Sequence, residues 1–238
     1  MSPQMTMHVS WIRAGCAGLA LWCSAAALAD GMVPDTSVVI VHEADGEAAV
    51  SVTNTDSKLA LLHVTLEDIP EDQATLLFVT PPLSRVEPGK RQLVRFILQA
   101  DEPLKTQRLK RVVFEGMPQQ RIGTEAARAQ VGVTVRQNLP VILHPKGLAP
   151  NREPWLGLTW HLDGDRLSVR NPTPYVVRLA QAVRLLPGSG STLLPRTYVL
   201  PGETLTVAAQ GTGATSVRLQ PATVYGFAVA PYEAPITP

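Results

Sequence analysis

The chain has 238 residues, 45% of them apolar and 5% aromatic, with 21 prolines and a formal net charge of +1. That apolar content excludes a disordered chain, and the near-zero charge excludes an electrostatic grip on nucleic acid. Both cysteines, Cys16 and Cys23, lie close to the N-terminus, so no thiolate metal site, redox pair or cysteine nucleophile is available to the rest of the chain.

Residues 1–29 read as a secretory signal peptide. Arg13 supplies a positive start, an uncharged apolar run extends from Ala14 to Leu28, and Ala27-Leu28-Ala29 gives the small-x-small cleavage pattern before Asp30. The run is too short, and too soon followed by Asp30, Gly31 and Pro34, to span a bilayer, so no membrane insertion is expected. Cys23 follows Leu21-Trp22, where a lipid-anchoring site needs small residues. Past the leader, bases and acids balance at 20 each.

Strand signals then follow one another. Val38 to Val41 is a β-branched run, and Ala49 to Asn54 alternates before the turn-like Asn54-Thr55-Asp56-Ser57. Leu59 to Leu66 gives a third strand and Leu76 to Val79 a fourth, stopped by Pro81-Pro82. Arg91 to Gln99 alternates with Leu93, Phe96 and Leu98 as candidate inward positions; Leu109 to Phe114 and Val131 to Leu143 complete the set. About seven strands at this spacing match an immunoglobulin-like sandwich. A single short helix is expected, over Thr124 to Ala129.

His144-Pro145-Lys146-Gly147, with Pro150 and Pro154, reads as a linker. The expected division is a first domain over 30–147 and a smaller β-sandwich over 148–238. In the second unit, Trp155 to His161 and Arg166 to Arg170 flank Asp163-Gly164, a hairpin signal. Tyr175 to Leu186, Tyr198 to Leu200, Thr204 to Ala208, Ser216 to Leu219 and Val224 to Val229 read as further strands, with turns at Pro187-Gly188 and Pro201-Gly202. The fold class is thus all-β, with two sandwich domains.

Catalytic motifs are missing from the sequence. There is no G-x-S-x-G, no H-E-x-x-H and no phosphate-cradling glycine loop. The histidines at 8, 42, 63, 144 and 161 do not fall at ligand spacing, and Glu67 to Asp72 lacks the alternating oxygens of a calcium loop. No enzyme activity, no cofactor and no metal are expected.

The most specific segment is Thr80-Pro81-Pro82-Leu83-Ser84-Arg85-Val86-Glu87-Pro88-Gly89. It ends one strand at two prolines, runs a short edge segment, and turns through Glu-Pro-Gly into the next strand with its late Arg95. It resembles the T-P-P-x-x-R-x-x-P-G signature of the periplasmic pilus (fimbrial) assembly chaperones of chaperone–usher systems, the PapD-like proteins. Asn54, Met117-Pro118 and the segment Asn171-Pro172-Thr173-Pro174-Tyr175 are similar to further family motifs, in the same order along nearly the whole chain.

The resemblance implies two immunoglobulin-like domains in a boomerang, a periplasmic location, and pilus subunits and an outer-membrane usher as partners. It also allows a self-capping homodimer. Its mechanism is donor-strand complementation: the last strand of domain 1 fills a groove in an incomplete subunit. Here that strand carries Ala129, Val131, Val133 and Val135 on one face. Such valines are ordinarily core residues; under the resemblance they fill a partner's pockets, with main-chain bonds alongside. At about 1.5–3 kcal/mol for each buried valine, three contribute roughly 5–9 kcal/mol before ordering costs.

The chain departs from the family at its carboxylate anchor. The two basic positions fall on Val38 and Pro140, which carry no charge, and Arg136, of the same strand parity as 140, is the replacement candidate. Gln107 and His144 stand where the family has an interdomain acid and arginine, and Arg136 to Pro140 is similar to non-classical fimbrial groups, so a divergent subclass is expected. Two other readings stay open on the residues alone. One is a structural or adhesive component of a pilus or surface assembly; the other is a secreted hydrolase whose site is assembled from distant residues.

Overall fold

The computed structural model describes residues 31–118, 134–209 and 213–237. The leader, the expected helix over Thr124 to Ala129, and the valines at 131 and 133 lie outside the described residues.

The first half holds nine strands: β1 (Met32–Pro34), β2 (Val39–His42), β3 (Glu47–Asn54), β4 (Ala60–Glu67), β5 (Leu77–Thr80), β6 (Leu83–Val86), β7 (Arg91–Leu98), β8 (Arg108–Pro118) and β9 (Arg136–His144). They form a four-stranded sheet, β1-β3-β7-β5, packed on a five-stranded sheet, β2-β9-β8-β4-β6. Alternation decides which side chains meet between them. Val50 and Val52 from β3, Leu62 and Val64 from β4, Val94 and Phe96 from β7, and Val112 and Phe114 from β8 make a sealed core, with the Phe96 and Phe114 rings edge to face at 6.4 Å. Leu93, expected inward, is 52% exposed. It has the opposite parity to Val94 and Phe96, and two adjacent residues of a regular strand cannot share a face.

A 3-10 turn at Pro154–Gly157 leads into the second half. Its strands are β10 (Thr159–Asp163), β11 (Arg166–Arg170), β12 (Val177–Leu179), β13 (Ala182–Leu186), β14 (Ser191–Leu193), β15 (Tyr198–Val199), β16 (Thr204–Ala208), β17 (Ser216–Leu219), β18 (Pro221–Ala222) and β19 (Tyr232–Thr237). A seven-stranded sheet, β14-β13-β17-β19-β10-β11-β16, faces a three-stranded one, β15-β12-β18. Trp160, Leu167, Val169, Val183, Leu185 and Val217 lie in the core between them.

Four expectations for this half need correction. Tyr175 to Leu186 is two strands, β12 and β13, which belong to different sheets. Trp155 lies in the 3-10 turn rather than a strand, because Pro154 opens a tight turn. Val224 to Val229 is mostly a loop closed by Thr223 and Gly226, with Gly226 at φ 84°. The last strand is instead β19, disguised in sequence by Pro231 and Pro235, and it pairs with both β17 and β10. The hairpin after β10 turns at Gly164-Asp165, one residue later than expected, with Asp163 opposite Arg166.

The two halves share a third cluster. Val38, Ile40, Ile69, Leu109 and Ile142 from the first pack with Val176, Tyr198, Leu200 and Val224 from the second. Strands β8 and β9 are therefore buried on both faces over part of their length. That is why Val112 to Phe114 and Pro140 to Leu143 read as unbroken apolar runs.

Candidate functional site

The signature segment is a piece of scaffold. Thr80 ends β5 opposite Arg95, the Pro82 carbonyl accepts the Val64 N–H at 2.8 Å, and β6 runs beside β4. Gly89 sits at φ 67°, and its N–H donates to the Asn54 carbonyl at 2.8 Å, so Pro88-Gly89 closes a turn on the end of β3. Arg85 pairs with Glu87 at 2.7 Å in the open, where an ion pair stabilises little.

Asn54 holds the turn from inside. Its side-chain amide donates to the carbonyls of Lys58 and Val86, both at 2.9 Å, and its oxygen accepts the Asp56 N–H. Asn171 repeats this in the second domain, donating to the carbonyls of Tyr175 and Val199 and accepting from Thr173. Around it, Pro172 is exposed and Pro174 half-buried, and the Pro174 carbonyl accepts the Gln107 N–H at 2.9 Å.

Strand β9 supplies an edge. Along β8 it is paired from Arg136 to Leu143, but β2 covers its other side only from Val141 to His144. The Gly116 N–H is directed at the Val135 carbonyl, so in an antiparallel ladder the odd residues of β9 bond β8 and the even ones point outward. Arg136 and Asn138 thus present main-chain groups on a side where no strand pairs with them among the described residues. Pro140, which lacks an N–H, occupies an outward position, where proline costs no ladder bond. Side chains follow the same parity: Leu139, Val141 and Leu143 face the domain core, and Val135, half-buried, continues that face.

The even side chains of β9 face the other way, onto a surface shared with the second domain. One row across this sheet runs Glu67, Arg111, Pro140, with Val38 beside Pro140 because the next residue, Val39, pairs with Val141. Val38 and Pro140 are both buried, consistent with their lack of charge. Arg136 is exposed and lies 3.5 Å from Glu67, so its charge already has a partner. Arg111 is half-buried and donates from Nε to Asn138 Oδ1 at 2.7 Å and from Nη2 to the Asn138 carbonyl at 2.9 Å. Burial pushes its guanidinium below the ordinary value, while Tyr198 and Glu67 act in the opposite sense.

Arg178 of β12 approaches from the second domain. It lies opposite Tyr198, donates from Nη1 to the Val224 carbonyl at 3.0 Å, and covers Gly226. That loop is tied to the first domain by the Ser37 hydroxyl, which donates to the Tyr225 carbonyl at 2.8 Å. Burial lowers the Arg178 pKa, and the Arg111 charge lowers it further. Neither arginine makes an ion pair among the described residues. Motif reading passed over both. The available signal was Arg111 within the apolar stretch from Leu109 to Phe114, where a charge must have a reason.

Neutral contacts join the domains close by. The Val176 N–H donates to Gln107 Oε1 at 2.8 Å, and Gln107 Nε2 lies 3.0 Å from His144 Nδ1. His144 Nε2, 2.9 Å from the Leu148 carbonyl, carries the proton, which leaves Nδ1 to accept from Gln107. Gln107 and His144 therefore bond to each other. Among the described residues no group of three or more His, Cys, Asp or Glu is placed to hold a metal ion, and no helix is long and apolar enough to cross a membrane.

Comparison with known proteins gives a consistent result. The family model described as pili and flagellar-assembly chaperone, PapD N-terminal domain, matches residues 31–149, and that for the pili assembly chaperone PapD C-terminal domain matches 154–232. The chain is 42% identical over 201 residues to the uncharacterized fimbrial chaperone YhcA of Escherichia coli (strain K12), spanning 84% of this chain and 88% of that protein. It is 29% identical over 233 residues to the chaperone protein FimB/FhaD of Bordetella pertussis, spanning 92% and 94%. The SafB chaperone, solved in complex with the SafA pilin of Salmonella enterica, shares the fold with a TM-score of 0.70 at 20% identity, covering 89% of this chain and 99% of that one.

Proposed function

This chain belongs to the PapD family of pilus-assembly chaperones, and from that premise we propose that it holds and stabilises pilus subunits by lending them the strand that runs into β9. The observation that carries the reading is that, among the described residues, no strand pairs with the outer side of β9 at Arg136 and Asn138, where the Asn138 carbonyl accepts from the Arg111 side chain. An extended partner segment laid there gains main-chain bonds, while alternate side chains of the donor settle into its pockets. Leu139 and Val141 face the domain core and Val135 continues that face; the alternating Ala129, Val131 and Val133 that precede them in the sequence are the side chains assigned to the guest's pockets.

The role is binding without chemistry. The leader over 1–29 directs the chain to the periplasm, and the subunit is handed on to an outer-membrane usher. The domain division at 147 separates the strand-lending sandwich from a second domain that closes the cleft.

Val133→Arg tests this directly. Placing a charge in the donor row abolishes recovery of a co-expressed subunit from the periplasm, while circular dichroism and the melting temperature of the purified variant match the parent. A subunit that stays soluble and bound to Val133→Arg sinks the strand-lending reading.

A further inference from the structure

A short chain of hydrogen bonds crosses the seam between the domains where β9 ends. The Val176 N–H of the second domain donates to Gln107 Oε1 at 2.8 Å, and Gln107 Nε2 donates to His144 Nδ1 at 3.0 Å. His144 Nε2 in turn donates to the Leu148 carbonyl at 2.9 Å. Each link fixes the next. Because Nε2 holds the ring proton, Nδ1 is an acceptor, which turns the amide nitrogen of Gln107 toward the ring and its oxygen toward Val176. Gln107 and Val176 are 7% and 4% exposed, so water does not replace a lost partner there.

The surroundings offer a second ring proton on His144 no counter-charge. His42, opposite it in the β2–β9 ladder, lies edge to face at 5.1 Å and is itself a base. Glu43 bonds the His144 carbonyl through its own N–H, but its carboxylate is turned to the N–H groups of Leu104 and Lys146. On β8 the Arg108 guanidinium is turned to Asp72, and from the second domain the Tyr175 hydroxyl donates to the Ala149 carbonyl. Among the described residues, the histidine that meets a carboxylate is His63, beside Glu115.

We propose that Gln107 and His144 are a proton-sensitive latch between the domains, closed on Val176 while the ring is neutral and open once Nδ1 is protonated. The reason is a count of donors. With a proton on Nδ1, the ring and the amide nitrogen of Gln107 face each other as two donors. If the amide turns over, its oxygen accepts from Nδ1, and its nitrogen then faces the Val176 N–H. In either orientation one bond of the chain is lost. The opening is local, because the Gln107 N–H stays on the Pro174 carbonyl at 2.9 Å and the apolar cluster shared by the halves does not titrate. Protonation therefore loosens the seam without unfolding either domain. The inference concerns how the domains are held and does not depend on the strand-lending reading.

Histidine charge ordinarily changes between about pH 5 and 8, which sets the range of the test. In the 15N-labelled protein, long-range 1H–15N spectra follow the His144 ring. Amide hydrogen exchange, corrected for the intrinsic rate at each pH, follows Val176 and Gln107. As the ring takes up its proton, protection of the Val176 N–H drops about tenfold with the same midpoint, and protection of the Gln107 N–H is unchanged. His144→Gln removes the drop, and His42→Asn leaves it in place. Gln107→Glu also removes it, because a carboxylate accepts from Val176 and from the charged ring together. Lower Val176 protection at every pH in Gln107→Glu makes Gln107 a packing residue and overturns the latch. Constant Val176 protection across the range overturns it too, whether or not the ring is protonated. A drop that survives in His144→Gln, or vanishes in His42→Asn, overturns the assignment to His144.

Discussion

Asn54 and Asn171 show how one residue type at one position can fix a domain. Both are fully buried, and each sits at the end of a strand with its amide serving one buried carbonyl, of Val86 or Val199, and one part-buried carbonyl, of Lys58 or Tyr175. In both domains a Pro-Gly turn docks on the asparagine main chain: Gly89 donates to the Asn54 carbonyl and Gly202 to that of Asn171. Replacing the amide leaves one buried and one part-buried carbonyl without a donor, which costs more than the net value of the bonds themselves. Asn54→Ala is expected to lower unfolding free energy by about 2–4 kcal/mol, read from the urea midpoint with an unchanged m-value. Both asparagines were legible in the sequence because turn chemistry is local. Leu93 was misplaced because its neighbours offered apolar residues at both parities, and only packing chose between them.

Strand β9 has two working edges that differ by a single residue of parity. Odd positions bond β8 and even positions face outward, so the same substitution at neighbouring sites has different consequences. Arg136→Pro removes an outward N–H and a side chain already paired with Glu67 at the surface. Its stability is expected to stay within about 1 kcal/mol of the parent, while capture of subunit falls because a ladder bond to the guest is gone. Gln137→Pro removes an N–H that faces Phe114, and should destabilise the domain by about 3 kcal/mol or more. Comparing thermal melts with subunit recovery for the two variants separates the edges. Equal loss of stability would mean that the outward side of β9 is not open. The alternation of the strand was readable from sequence. Which edge is unpaired was not, because it depends on where β2 begins to pair, at Val39 opposite Val141, which is a contact between segments about a hundred residues apart.

At the scale of the whole molecule, the halves are joined by a polar hub as well as by the shared apolar cluster. Lys110, buried under the loop between β4 and β5, donates to Asp68 Oδ1 and the Asp72 carbonyl, both at 2.7 Å. That loop carries Glu71 to the second domain, where it accepts from Arg196 at 2.6 Å and from the Tyr198 hydroxyl at 3.0 Å. Burial and the bond to Glu71 push the Tyr198 hydroxyl up to about 12. An unfolded tyrosine ionises near 10, so the folded state holds this proton more tightly. The stability it contributes is complete below about pH 10 and disappears as pH rises toward 12. Tyr198→Phe is expected to cost about 1 kcal/mol at neutral pH and to show a smaller drop in urea midpoint between pH 9 and 11 than the parent. An identical alkaline drop in both proteins would remove Tyr198 from the interdomain contact.

By itself, the sequence determined the all-β class, the places of most first-domain strands, and the family, because alternation, proline-glycine turns and capping asparagines act over a few residues. Tertiary structure alone decided where charge gathers. Arg111 and Arg178 lie on strands of different domains and carry no common motif, and only folding brings them to one cleft. There each is partly buried and, among the described residues, neither has an ion-pair partner.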